Sequence, residues 1–121
     1  MANFYMYSGI ASMAYTMYAG LKYYAMTGVG LIQAEDADKY DIDQVIDVRT
    51  KVEWDLGHFK GAKHIPVGTM TEKSLKGISK NDSILVYCNT GQRARRAAEK
   101  IRSYGYKKVY YIEGTYKSLK L

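Results

Sequence analysis

The feature that most constrains this chain is a continuous apolar run, Ser83–Tyr87 (Ser-Ile-Leu-Val-Tyr), followed at once by Cys-Asn-Thr-Gly-Gln-Arg and then by a helical stretch. A strand with one wet face alternates apolar and polar residues, whereas a strand that is apolar throughout needs cover on both faces. Helices on both sides of a mostly parallel sheet supply that cover, and the rest of the sequence alternates accordingly. Residues 44–48 and 109–112 read as further strands, and 62–65 as a short one stopped by Pro66. Between them lie a short polar helix or turn at 35–40, a short helix that Thr50 caps with Glu53 completing a capping box, and a basic helical segment at 71–78. Residues 93–104 form a helix with Ala94, Ala97, Ala98 and Ile101 on one face and Gly105 at its stop, and a last short helix is expected within 114–121. Trp54 is expected in the core.

Length and charge divide the chain unevenly. At 121 residues it holds one domain of ordinary size, which excludes repeat arrays. The net charge of +6 resolves into +1 for residues 1–32, −4 for 33–60 and +9 for 61–121, so a basic second half faces an acidic middle. A basic half suits nucleic acid, an anionic surface or small anions, and the sign alone does not choose. The basic helix face of Arg95, Arg96, Lys100 and Arg102 reads as a solvated surface without aromatic or loop partners, so nucleic acid is not expected. The acidic run Glu35, Asp36, Asp38, Asp41 and Asp43 reads as a solvated edge.

Residues 1–29 form an almost uncharged leader, with residues 30–121 as the domain. The stretch 4–21 holds eighteen uncharged residues, just inside the range of a spanning helix, for which about 20 are usual. It contains only two branched aliphatics, Ile10 and Leu21, and is flanked by tyrosines. A hydrophobic helix is expected here; a membrane anchor, an interfacial helix, a helix docked on the domain and a disordered leader all remain open. If it spans, Lys22 favours a domain facing the cytoplasm. A missing basic n-region argues against a cleaved signal peptide.

The chemistry points to the junction after the apolar strand. Cys88 is the single cysteine, which excludes a disulfide framework and a multi-cysteine zinc site. It stands at the carboxyl end of a strand, where α/β sheets place ligands. The loop of Asn89, Thr90, Gly91 and Gln92 runs straight into a helix, so backbone N–H groups and the positive helix end face the sulfur, a setting that favours the thiolate. Gly91 permits the positive φ such a tight loop needs, and Arg93 adds a permanent cation.

Three sequence blocks resemble the rhodanese family of single-domain sulfurtransferases over residues 30–121. The first is Ile46-Asp47-Val48-Arg49, then Glu53-Trp54, then Gly57-His58-Phe59-Lys60-Gly61-Ala62-Lys63-His64-Ile65-Pro66; the second is Cys88-x-x-Gly91-x-Arg93 with Ala97-Ala98 on the next helix; the third is 109–114. The resemblance implies a small rhodanese-like α/β domain, with a mostly parallel central sheet flanked by helices and preceded by the N-terminal hydrophobic helix. It implies a sulfurtransferase that moves a sulfane sulfur from a small anionic donor (thiosulfate, a persulfide or a polysulfide) to a thiol, a cyanide-type acceptor or an acceptor protein, by way of a Cys88 persulfide. Cys88 and Arg93 take the catalytic roles; Asn89, Thr90, Gly91, Gln92 and Arg49 bind substrate or order the loop; Asp47, Glu53 and His58 support them. No cofactor is expected, and no metal, because His58 and His64 lack a third ligand and read as hydrogen-bonded structural histidines.

Two alternatives accompany this reading. One is a non-catalytic interaction module of the same fold. The other is a cysteine phosphatase or arsenate reductase of that shape, whose loop is Cys-x5-Arg; here Arg93 gives Cys-x4-Arg and Ala94 stands at the longer loop's arginine position. Asn89 and Ala94 depart from the family's frequent basic and hydroxyl residues at those places, and Thr115 and Leu119 from its common Gly and Trp.

Overall fold

The computed structural model describes residues 29–121. The expected leader helix, its membrane association and Lys22 lie outside the described residues. Among the described residues no helix is long and apolar enough to cross a membrane.

Five strands, β1 (Val29–Leu31), β2 (Gln44–Asp47), β3 (Lys63–His64), β4 (Ser83–Tyr87) and β5 (Lys108–Tyr111), form one sheet in the order β1-β5-β4-β2-β3. Every neighbouring pair is parallel. β4 is central and buried at all five positions, as its unbroken apolar run requires. Alternation along it sends Ile84, Val86 and Cys88 into one core layer and Leu85 and Tyr87 into the other. The first layer is closed by the helix α2 (Gln92–Ser103) together with Met70, Leu75 and Ile78; the second is closed by the 3-10 turn Ala34–Tyr40 and by Ile112 and Leu119.

α2 lies on the sheet through Ala94, Ala97, Ala98 and Ile101, all fully buried. Three alanines let the helix axis approach β4 closely, and Ile101 contributes about 2 kcal/mol by the area it removes from water. β2 continues to β3 on one side of the sheet while its neighbour β4 continues to β5 on the other. The order therefore reverses between β2 and β4, and a crevice opens at their carboxyl ends, the usual ligand position in such sheets. Cys88 and Val48–Arg49 follow directly from those two ends, joined by the Val48 N–H donating to the Tyr87 carbonyl at 3.2 Å.

The structure departs from the expected elements in four places. β1 was not anticipated; a three-residue edge strand containing glycine has no periodic signature, and it is recruited by pairing with β5, where Gly30 makes room for the Tyr110 ring. The 71–78 segment holds only a 3-10 turn, Glu72–Leu75, because the chain turns extended at Lys76 and Gly77 takes φ 91°. The closing helix is likewise one 3-10 turn, Tyr116–Ser118. Trp54 is not in the core: it sits half-buried on the short helix α1 (Lys51–Asp55), stacked with His58 at 3.4 Å and His64 at 4.8 Å between ring centroids.

Candidate active site

Strand alternation aims the side chain of Cys88 at the first turn of α2. Its Sγ is fully buried and accepts hydrogen bonds from the backbone N–H groups of Gly91 at 3.1 Å and Ala94 at 3.3 Å. The turn that makes this work needs Gly91: its φ is +95°, and a Cβ there would stand 3.1 Å from the Cα of Glu113. The sulfur thus sits at the positive end of α2, whose first-turn N–H groups have no partner within the helix. A first-turn Ala at 94 brings its N–H to the sulfur without side-chain interference. The result is a small cradle in which two backbone N–H dipoles point at the sulfur.

A carboxylate locks the loop from outside. Glu53, on α1, accepts the Arg93 fork at 2.6 and 2.9 Å and the Asn89 side-chain amide at 2.6 Å. The same carboxylate accepts from the Thr50 backbone N–H at 3.1 Å and hydroxyl at 2.9 Å, completing the expected capping box. Chiefly through Arg93, these bonds hold the Glu53 carboxyl down at about 2, well below its ordinary 4.5. The Arg93 guanidinium is raised in turn, mainly by Glu53, with Cys88 adding to the effect. The role of Glu53 is thus larger than helix capping. Its partners are 36 and 40 residues away, so no local spacing signals them.

A second ion pair stands beside the loop. Asp47, fully buried, takes the Arg49 side chain through Nε at 3.0 Å to both oxygens and Nη2 at 2.7 Å, and also accepts the Arg49 backbone N–H at 2.9 Å. Arg49 Nη2 also donates to the Gly57 carbonyl at 2.6 Å, and the guanidinium lies against the rings of Tyr87 and Tyr116. Its pKa is raised, first by the Asp47 hydrogen bonds. The Tyr87 hydroxyl, whose ionisation burial pushes to higher pH, accepts from the Phe59 N–H at 3.0 Å. These contacts fix the 57–59 turn against the end of β4. Gly57 has φ +144°, and a Cβ there would come within 2.7 Å of the Tyr116 hydroxyl. The sequence alone does not reveal Tyr87 and Tyr116 as the walls around Arg49.

The remaining candidates lie further out. Thr90 and Gln92 are exposed at the loop's rim. His58, also exposed, hydrogen-bonds the Trp54 carbonyl at 2.9 Å through Nδ1, and His64 the Arg49 carbonyl at 2.8 Å through Nε2. Among the described residues no cluster of His, Cys, Asp or Glu has the geometry to hold a metal ion. Next to the loop lies an open pocket of about 320 Å³ lined by residues that include Arg49, Glu53, Leu56, Asn89, Tyr116 and Lys117.

A family model described as the rhodanese-like domain matches residues 31–121. The chain is 36% identical over 77 residues, 61% of its length and 41% of the relative's, to YrkF, a Bacillus subtilis protein named as a sulfur carrier. It is 35% identical over 74 residues, 57% of this chain and 21% of the relative, to the tRNA uridine(34) hydroxylase of Escherichia fergusonii. The chain spans less than half the length of these curated relatives. Among solved structures, protein hp1203 from Helicobacter pylori aligns with a TM-score of 0.58 at 31% identity, over 70% of this chain and 76% of that one.

Proposed function

Since this chain belongs to the rhodanese-like family over residues 31–121, we propose that it is a sulfurtransferase carrying a sulfane sulfur on Cys88 as a persulfide. The observation that carries the reading is the buried Cys88 Sγ, held by the backbone N–H groups of Gly91 and Ala94 at the first turn of α2. A thiolate, and the terminal sulfur of a persulfide, are the species such a cradle stabilises. The similarity to a protein named as a sulfur carrier agrees with it.

The half-reactions follow. The Cys88 thiolate attacks the donor's sulfane sulfur; the new S–S bond to Cys88 forms as the donor's S–S bond breaks, and its electron pair leaves on sulfite (from thiosulfate) or on a thiolate (from an organic persulfide). An acceptor thiolate or cyanide then attacks the outer sulfur, breaks the Cys88 S–S bond and returns Cys88 as the thiolate. Because Cys88 is the one cysteine of the 121 residues, the acceptor lies outside them. Arg93 and Asn89, tied to Glu53, hold the loop in shape; Asp47 and Arg49 hold the neighbouring turn against it.

Intact mass after incubation with inorganic polysulfide tests the reading. A gain of about 32 Da that Cys88→Ser abolishes is expected for a persulfide. Absence of that gain with polysulfide, thiosulfate and an organic persulfide alike supports instead a non-catalytic module of this fold.

A further inference from the structure

The two faces of the sheet carry opposite charge. Residues 67–104, which supply α2 and the Glu72–Leu75 turn on one face together with the uncharged β4, hold eight basic and three acidic side chains; residues 34–43, on the other face, hold one basic and five acidic. In the first layer Glu72 is paired with Lys80 and Glu99 with Arg95, and the Asp82 carboxylate accepts from the Gln44 side chain and the Ser79 N–H. Lys73, Lys76, Arg96 and Lys100 are exposed and make no ion pair among the described residues. They belong to one surface. Arg96 and Lys100 stand four apart on α2, which places them on the same side of the helix. Lys100 Nζ donates to the Met70 carbonyl at 3.4 Å, and Leu75 and Ile78 pack into the α2 layer and hold the segment of Lys73 and Lys76 there.

The chain enters the domain on this side. Val29 pairs with Val109, next to Lys108, at the starting end of the strands, and it packs against the α2 layer. Cys88 follows the opposite end of β4. Residues 1–28, which precede Val29, carry one charged side chain, Lys22, and six tyrosines. A nearly neutral segment rich in tyrosine suits the boundary between water and lipid tails. Cations beside it are drawn to the negative surface potential of acidic headgroups, at about 1 kcal/mol for each Lys or Arg near the surface. The carboxylates of residues 34–43 lie behind the sheet and are screened from a surface that touches α2, the Debye length being about 8 Å at physiological ionic strength. Single-stranded nucleic acid stacks its bases on exposed rings, and residues 67–104 contribute none of the exposed large hydrophobic side chains among the described residues. We propose that the α2 face, through Lys73, Lys76, Arg96 and Lys100, lies on an anionic phospholipid bilayer, with Cys88 at the end of the sheet away from the point where residues 1–28 join. The four cations take no part in the Cys88 loop or its Glu53 clamp, so the proposal stands apart from the sulfur-transfer reading.

Amine acetylation of the full chain, read lysine by lysine by mass spectrometry with and without vesicles, tests it. On vesicles of phosphatidylcholine mixed with phosphatidylglycerol, Lys73, Lys76 and Lys100 are expected to lose reactivity severalfold, while Lys39 and Lys120 on the opposite face keep theirs. Vesicles of phosphatidylcholine alone leave all five unchanged, and high salt restores the reactivity of the first three. Co-sedimentation with the two vesicle types gives a second reading that does not depend on how residues 1–28 behave. The double change Arg96→Gln and Lys100→Gln is expected to lower the ratio of anionic to neutral partition about 30-fold, two cations at about 1 kcal/mol each, whereas Lys39→Gln with Lys120→Gln leaves it unmoved. Equal protection of both faces, protection of neither, or a ratio that the α2 pair does not move overturns the assignment. Protection of the same lysines by a single-stranded RNA and not by the anionic vesicles would make this a nucleic-acid surface. Protection that appears with rising protein concentration and no vesicles would make it a contact between copies of the chain, and either result removes the lipid surface from the account.

Discussion

Substituting Glu53 by Gln removes the negative charge that ties three separated parts of the site together, while keeping an oxygen that can still accept from Thr50. A carboxyl held at about 2 instead of 4.5 corresponds to at most about 3.5 kcal/mol, at roughly 1.4 kcal/mol per pH unit. The side chains of Arg93 and Glu53 are 32% and 25% exposed, so solvent screens the pair, and about 1–2 kcal/mol is the expected loss at neutral pH. For a domain of this size that is a fall in Tm of roughly 5–10 °C. The pH dependence follows from the direction of the shift. Because the folded value is depressed, the stabilisation is fully present above the ordinary 4.5 and is lost as the pH falls from there toward about 2. Urea denaturation of wild type and Glu53→Gln at pH 7 and at pH 3 is the assay, with the stability gap wide at pH 7 and narrowed at pH 3. An equal gap at both pH values, or no gap at pH 7, would refute the assignment of Glu53 as an ionised clamp on the loop.

Three other substitutions probe separate parts of the account. Gly91→Ala forces a side chain into φ +95° and 3.1 Å from the Glu113 Cα; it is expected to cost about 1–3 kcal/mol, seen in denaturation midpoints. The same change should slow persulfide loading about tenfold or more by misplacing the N–H cradle; a wild-type loading rate would show that the cradle does not depend on this turn. Asp47→Asn leaves the Arg49 charge buried without its carboxylate and is expected to cost about 3–5 kcal/mol; a loss below about 1 kcal/mol in chemical denaturation would contradict the pairing. Tyr87→Phe removes the acceptor of the Phe59 N–H and is expected to cost about 1 kcal/mol, again read from the denaturation midpoint, with an unchanged midpoint counting against that bond.

What could be read without coordinates follows the range of the interactions involved. The apolar run of β4, the alanine face of α2 and the Thr50–Glu53 capping box are local patterns, and each appears as expected. The place of Cys88 at a strand end also follows, because strand alternation and the loop's length together direct Sγ at the helix. The three-residue β1 has no local signature and exists through its partner β5. The span 71–78 is dense in helix-compatible residues, yet packing of Leu75 and Ile78 under α2 and the positive φ of Gly77 decide its path. Trp54 illustrates a different limit: size and hydrophobicity suggest the core, but a five-residue helix with no buried residue leaves it at the surface, where the two histidine rings cover it. The link from Glu53 to Asn89 and Arg93 spans 36 and 40 residues, with β3 and β4 between, and is a property of the folded state alone.

The central claim is that one sulfur atom resides on Cys88 and is passed on. Its most direct test is a single-turnover experiment: the chain is loaded with polysulfide, freed of excess donor and mixed with cyanide, and thiocyanate is measured together with intact mass. The account predicts one thiocyanate per loaded chain, a loss of about 32 Da that restores the starting mass, and neither signal in Cys88→Ser. A mass gain that persists after cyanide, or one that survives in Cys88→Ser, would contradict it.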